Sequence, residues 1–198
     1  AKVHEPELIP LDSPDFKKCV HDLFEDQAAR SPDLPAVVDG KFSYSYKELN
    51  ESVDLLARYL HANGFGVGTY VGIYMERSAA YVVSLLAILK AGASYYPIEL
   101  AYPEPLRDRL LEDVRSNQKE GDSTPNLSMV LTKSAYGSNL PEICKVFCMD
   151  VGWEGLLKRQ GEQFLQTDLL PRPTPESSCY VVYSGGSTGR PKGIEAPH

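Results

Sequence analysis

Apolar positions along the chain fall into two alternating rhythms. At helical spacing stand Phe16, Val20, Leu23, Phe24 and Ala28, then Leu49, Val53, Leu56, Ala57 and Leu60. Each set puts its side chains on one face of a helix. Ser13-Pro14 reads as N-cap and first residue of the earlier helix, which ends before Ser31-Pro32 and turns its stripe to a core. Ser45 with Glu48 three residues on is a capping-box signature for the later one, stopped at Gly64. Ala79 to Lys90 is apolar nearly all round and halts at Gly92, and Leu106 to Val114 makes a further helix.

Short apolar runs lie between these helices. Ala36-Val37-Val38 and Phe42-Ser43-Tyr44 flank Asp39-Gly40, the turn pair of a short hairpin. Tyr70 to Met75, Tyr95 to Ile98, Leu127 to Leu131, Val146 to Met149 and Cys179 to Tyr183 suit buried strands, the third and fourth of them parallel. Ser116 to Asn126 reads as a surface loop, Leu156 to Leu170 alternates only weakly, and Pro171, Pro173 and Pro175 make a stiff connector. Strands alternating with helices predict an α/β fold, a mostly parallel sheet flanked by helices. Residues 1–14, rich in Pro and charge without a period, read as an extended leader.

Composition narrows the function classes. The 198 residues are 42% hydrophobic with a formal net charge of -7, which disfavours nucleic acid and anionic membrane as partners, since both require clustered Lys and Arg. Apolar runs stay short of the roughly 20 residues of a membrane span, and the start lacks the regions of a signal peptide. The expected location is cytoplasmic. Cys19, Cys144, Cys148 and Cys179 are too few and scattered for a disulfide scaffold and are expected reduced. Cys144 and Cys148 share a face at their spacing, but without a nearby His or second pair they read as ordinary buried thiols, so no metal ligands are assigned.

Chemistry concentrates in Ser184-Gly-Gly-Ser-Thr-Gly-Arg-Pro-Lys-Gly193, fed by the last apolar run. Three glycines and three hydroxyl residues within six positions allow several N–H groups to converge on one anion, and Arg190 and Lys192 add positive charge. The candidate phosphate-binding residues are Ser184, Gly185, Gly186, Ser187, Thr188, Gly189 and Lys192, with His198 a further possibility. The spacing is not that of a Walker A loop: Arg190 and Pro191 stand five residues after Gly185 and Gly186, and Lys192 precedes Gly. The dinucleotide fingerprint also fails, since only the Gly186 to Gly189 interval fits. A plain Gly/Ser linker or turn is the competing reading, set against Pro191 and the preceding strand.

Val181 through Lys192 resembles the phosphate-loop signature of the adenylate-forming enzymes, which include acyl-CoA synthetases and the adenylation domains of nonribosomal peptide synthetases. The usual TSGTTGxPKG appears with Ser184 for Thr, Gly185 for Ser and Ser187 for Thr. Leu86 to Glu99, followed by Tyr102-Pro103 and Arg107, is similar to the LKAGxAYxPxD…YP segment of amino-acid adenylation domains, with Glu99 for Asp. Phe42 to Leu49 and Val20 to Asp33 resemble two earlier segments of the same domains, in the same order. The LKAG form favours activation of an amino acid for a carrier over the acyl-CoA branch.

The resemblance implies that residues 15–198 are the N-terminal part of an adenylation domain, incomplete at the C-terminus. It also implies ATP-dependent activation of a carboxylate as acyl adenylate, then transfer to a thiol, typically phosphopantetheine on a carrier domain, with coenzyme A as the other acceptor. In that scheme residues 184–192 hold the β- and γ-phosphates, and Lys192 is the cation; Arg190 is expected to face solvent. Magnesium ligands and the catalytic residues are expected beyond His198, so these residues alone are expected to be inactive. Alternatives are a fragment of an acyl-CoA ligase or amino acid–amine conjugating enzyme, and a non-catalytic nucleotide-binding module.

Overall fold

The computed structural model describes residues 17–40, 42–116, 129–159, 172–184 and 192–198, with the side chains of Ser184 and Lys192 left aside. It opens with α1 (Val20–Arg30), the hairpin β1 (Pro35–Asp39) and β2 (Phe42–Ser45), and α2 (Tyr46–Ala62). Then come β3 (Tyr70–Tyr74), α3 (Ala79–Lys90), β4 (Ser94–Pro97), α4 (Glu104–Ser116) and β5 (Met129–Thr132). The last elements are α5 (Ser134–Gly137), β6 (Lys145–Cys148), α6 (Gly152–Lys158), β7 (Ser178–Ser184) and β8 (Lys192–Pro197).

Six strands form the main sheet in the order β6-β5-β3-β4-β7-β8. The first five run parallel, and β8 alone is antiparallel to its neighbour. The chain leaves β3 through α3 to reach β4 on one side, then returns through α4 to β5 on the other. Such a reversal requires helices on opposite faces. Val71 and Ile73 of β3 and Leu131 of β5 pack with α2 and α3, while Tyr74, Tyr96 and Val130 pack with Leu111 and Val114 of α4. Period-two alternation along a strand thus sorts its residues into two cores.

The local reasons are those of the sequence. Glu48 donates its backbone N–H to Ser45 Oγ at 3.2 Å, and Ser45 returns its own N–H to Glu48 Oε2 at 2.8 Å, closing the capping box of α2. All five stripe residues of α2 are buried, and each fully buried Leu contributes about 1.5–3 kcal/mol. The β1–β2 hairpin turns at Gly40, whose φ of +61° lies in the left-handed region. Lys90, at the C-terminal end of α3, sits between the carboxylates of Glu25 on α1 and Asp54 on α2, joining the three helices.

Several expectations need correction. The first helix begins at Val20, with Cys19 in extended conformation as its N-cap, rather than at Pro14. Ser13 and Phe16 lie outside the described residues, as does the expected leader. The helix buries His21 and Ala28 and half-buries Phe24, whereas Val20 and Leu23 of the expected stripe are 40% and 37% exposed. The helix rests with its His21 side toward the chain segments around Pro173 and His198, and an apolar stripe does not encode that rotation. The strand at Val146 is parallel as expected but half-exposed, because β6 is an edge of the sheet. The loop after α4 and most of residues 156–170 lie outside the described residues.

The four cysteines are free thiols. Cys144 is buried and Cys148 half-buried, and burial pushes the Cys144 thiol up to about 11. No helix among the described residues is long and apolar enough to cross a membrane.

Candidate phosphate-loop site

Strand β7 enters the sheet as an extended run because Tyr180, Val181, Val182 and Tyr183 favour the pleated backbone. Tyr95 on β4 pairs with Tyr180, their rings 5.6 Å apart. Ser94 Oγ donates to the Ser178 carbonyl at 2.8 Å, fixing the start of β7. The chain then reverses, and β8 returns along β7 in a register that pairs Ser184 with Lys192, Tyr183 with Gly193 and Val181 with Glu195. The glycine-rich segment is therefore the connection of an antiparallel hairpin. It stands at the carboxyl-terminal edge of β7, which is also where its parallel neighbour β4 ends.

Of the candidate residues, Ser184 and Lys192 are brought together as opposing backbone positions at the two feet of the loop. Gly185, Gly186, Ser187, Thr188 and Gly189, with Arg190 and Pro191, lie outside the described residues. Antiparallel partners stand about 5 Å apart, so the loop leaves and rejoins the sheet within the width of one phosphate group. His198 is not part of that grouping. It lies beyond the far end of β8, about 20 Å from Lys192 at strand rise.

There His198 works as an anchor. Its backbone N–H donates to the Pro175 carbonyl at 3.1 Å, and its Nδ1 accepts the Val20 N–H at 3.3 Å. Its ring meets that of His21 edge-on, 5.6 Å between centroids. Burial holds both imidazoles below their usual pKa, which keeps them neutral at neutral pH.

One register step below the loop feet, a cavity of about 310 Å³ is lined by Tyr70, Asp113, Val114, Val181, Tyr183, Gly193 and Glu195. Tyr183 Oη donates to Asp113 Oδ2 of α4 at 2.8 Å, and Tyr70 Oη donates to Glu195. Burial first, then the adjoining carboxylate, pushes both phenols well above their usual range. They stay protonated and serve as donors. Gly193 forms part of the wall, where a Cβ would lie 3.2 Å from Val181 Cγ1 and 3.3 Å from Tyr183 Cζ. Asp113 and Glu195 make this lining acidic, unlike the glycine- and hydroxyl-rich segment that follows Tyr183 in the sequence.

Sequence reasoning did not reach what surrounds the loop's feet. Tyr183 and Asp113 are 70 positions apart, Tyr70 and Glu195 are 125 apart, and no local pattern links them. A Tyr on the α4-facing side of the strand feeding the loop was the one available signal.

The comparisons with known proteins agree with this architecture. The family model described as "AMP-binding enzyme" matches residues 24–198. Tyrocidine synthase 3 of Brevibacillus parabrevis is 38% identical over 182 residues, covering 91% of this chain and 3% of the relative. Bacitracin synthase 3 of Bacillus licheniformis is 34% identical over 180 residues, covering 88% of this chain and 2% of the relative. The chain thus spans a small part of the length of the curated relatives it matches. Among solved structures, the nonribosomal peptide synthetase FmoA3 in its α-methyl-L-serine-AMP bound form superposes with a TM-score of 0.72 at 28% identity, over 94% of this chain and 19% of that one. VinN in complex with L-aspartate shares the fold, with a TM-score of 0.75 at 19% identity over 92% of this chain and 44% of that one. A mostly parallel sheet flanked by helices fits this group, and the chain belongs to the AMP-binding enzyme family.

Proposed function

We propose that these residues supply the phosphate loop of an enzyme that activates an amino acid with ATP. The substrate carboxylate attacks the α-phosphorus, the bond to the bridging oxygen breaks, and acyl adenylate and pyrophosphate result. Charge gathers on the departing pyrophosphate, so convergent N–H groups and one cation accelerate the step without a nucleophile from the protein. In this reading the backbone and hydroxyls of residues 184–189 hold the β- and γ-phosphates, and Lys192 is the cation. A carrier domain's phosphopantetheine thiol then attacks the acyl carbon and releases AMP.

The observation that carries the reading is the hairpin: a loop of this composition whose two feet, Ser184 and Lys192, oppose each other in register. The solved relative bound to an aminoacyl-type adenylate supports the substrate class. Magnesium suits the polyphosphate, and it would be held by one or two carboxylates together with waters and phosphate oxygens. Its ligands, like the adenine and carboxylate pockets, are assigned to other parts of the enzyme, and the 198 residues alone are proposed to be inactive.

Amino-acid-dependent exchange of labelled pyrophosphate into ATP tests this. The expected result is exchange by a polypeptide that carries this segment within a whole adenylation unit, and none by residues 1–198 alone. Absence of exchange with every amino acid in the longer polypeptide overturns the activation reading; robust exchange by the 198 residues overturns the division of labour. Transfer to coenzyme A in place of a carrier thiol would reassign the acceptor.

A further inference from the structure

Three segments distant in sequence meet where α1 begins and β8 ends. Cys19, His21 and His198 each offer one ligand atom, and these atoms lie within 4.8 Å of one another. Cys19 is 1% exposed and His21 is 4% exposed, while His198 is intermediate. Two of the four ring nitrogens, His21 Nδ1 and His198 Nε2, are buried with no hydrogen-bond partner among the described residues. An unmatched buried polar atom is costly, and two on neighbouring rings beside a thiol form the donor set of a borderline divalent cation.

We propose that Cys19, His21 and His198 form a zinc-class binding site with three protein ligands and a water in the fourth position. In a tetrahedral zinc shell, bond lengths of about 2.0–2.1 Å to nitrogen and 2.3 Å to sulfur set ligand atoms about 3.3–3.6 Å apart. The cluster is wider than that by up to about 1.2–1.5 Å, so binding draws the three side chains inward.

The surroundings are those of a ligand set. His21 Nε2 lies 3.5 Å from Asp22 Oδ1, longer than an ordinary hydrogen bond but near enough for the carboxylate to favour the ring proton on that nitrogen and leave the Nδ1 lone pair to the cation. Asp22 is itself fixed by the Cys19 N–H at 3.1 Å. Cys19 Sγ donates weakly to the Pro173 carbonyl at 3.6 Å. On binding, the metal–sulfur bond replaces the S–H bond and that proton passes to solvent. At His198 the ring hydrogen moves from Nε2 to Nδ1, which can then no longer accept from the Val20 N–H, so the ring must turn away from that donor. No electron is transferred, and one proton is released for each ion bound.

Such an ion would tie the N-cap of α1 to the end of β8, the strand that forms one foot of the glycine-rich loop. No ligand of this site is assigned to phosphate, so zinc binding can be measured without reference to the activation reading.

Cobalt titration of the reduced polypeptide tests the proposal. The expected result is one equivalent bound, thiolate-to-cobalt charge-transfer absorption, the visible bands of a tetrahedral site, and displacement by zinc. Cys19→Ser should abolish the charge-transfer band. His198→Gln and His21→Asn should weaken zinc binding at least tenfold, with circular dichroism confirming that each variant folds, and Cys179→Ala should bind as the parent does. Zinc should also raise the melting temperature of the parent and not of Cys19→Ser, which as a serine N-cap retains the helix start. Cobalt spectra without a thiolate band, a band that Cys179→Ala or Cys148→Ala removes instead, or zinc affinity unmoved by Cys19→Ser and His198→Gln each overturn it.

Discussion

Ser184 and Lys192 are backbone partners across the last rung of the β7–β8 ladder, so one hydroxyl residue and one lysine mark the points where the chain leaves and rejoins the sheet. A lysine at the rim of such a loop adds its charge to the donors without altering the loop's backbone. Lys192→Ala is therefore expected to slow amino-acid-dependent pyrophosphate exchange by roughly 10²-fold or more, on the scale of losing one charge-stabilising donor, and to leave unfolding unchanged. Lys192→Arg should restore part of the rate. Exchange kinetics of Lys192→Ala equal to the parent's would remove the role assigned to this side chain.

Gly72 on β3 pairs with Tyr96 on β4, and the Tyr96 ring crosses directly over it: a Cβ at position 72 would lie 2.9 Å from Tyr96 Cζ. Tyr96 is 1% exposed, among the largest fully buried side chains. Gly72→Ala should destabilise the protein by about 1–3 kcal/mol through overpacking, and a second change, Tyr96→Leu, should relieve part of that cost. Denaturant midpoints of the two single variants and the double variant measure the coupling.

Lys90 Nζ is shared by Glu25 and Asp54, with its side chain 15% exposed and theirs 29% and 38%. Removing the cation leaves two carboxylates facing each other among α1, α2 and α3. Lys90→Ala should cost roughly 1–3 kcal/mol, less than a fully buried pair because both acids reach solvent. Lys90→Met combined with Glu25→Gln and Asp54→Asn should recover most of the loss in thermal unfolding.

Asp150 accepts the Ser134 N–H at 2.9 Å and the Ser134 hydroxyl at 2.5 Å, and these bonds hold its carboxyl below the usual range. A depressed folded-state pKa gives stability that is present above the ordinary carboxylate pKa and is lost as pH falls through the folded value. Asp150→Asn should therefore flatten the acid limb of the stability curve below about pH 4. The group is exposed, so the effect stays under about 1 kcal/mol. An unchanged acid limb in urea melts of Asp150→Asn would count against this linkage.

Elements that answer to local physics were legible in the sequence. The Ser45–Glu48 capping box, the all-apolar α3 stopped at Gly92, and the Asp39-Gly40 turn each carry their cause within a few residues. Features that depend on neighbours were not. Lys192 to Pro197, with Glu195 in its middle and Pro at its end, carries no strand rhythm; it becomes β8 because β7 offers a free edge to pair with. Val20 and Leu23 looked like core and are exposed because the rotation of α1 is set by His21 meeting His198 from the other end of the chain. The loop's composition suggested its proposed chemistry, whereas the antiparallel pairing of its two feet and the Tyr183–Asp113 wall beside them arise only in three dimensions.

The anchor at the far end of β8 governs more than its own surroundings. A strand is a ruled scale on which every residue's partner follows from any one of them, and a slip by one place would set Pro191 or Gly193 opposite Ser184 in place of Lys192. By holding His198 to Pro175 and Val20, the protein fixes that alignment from the end opposite the loop. Perturbing α1's N-cap should then blur where the lysine stands, although the two lie a full strand length apart.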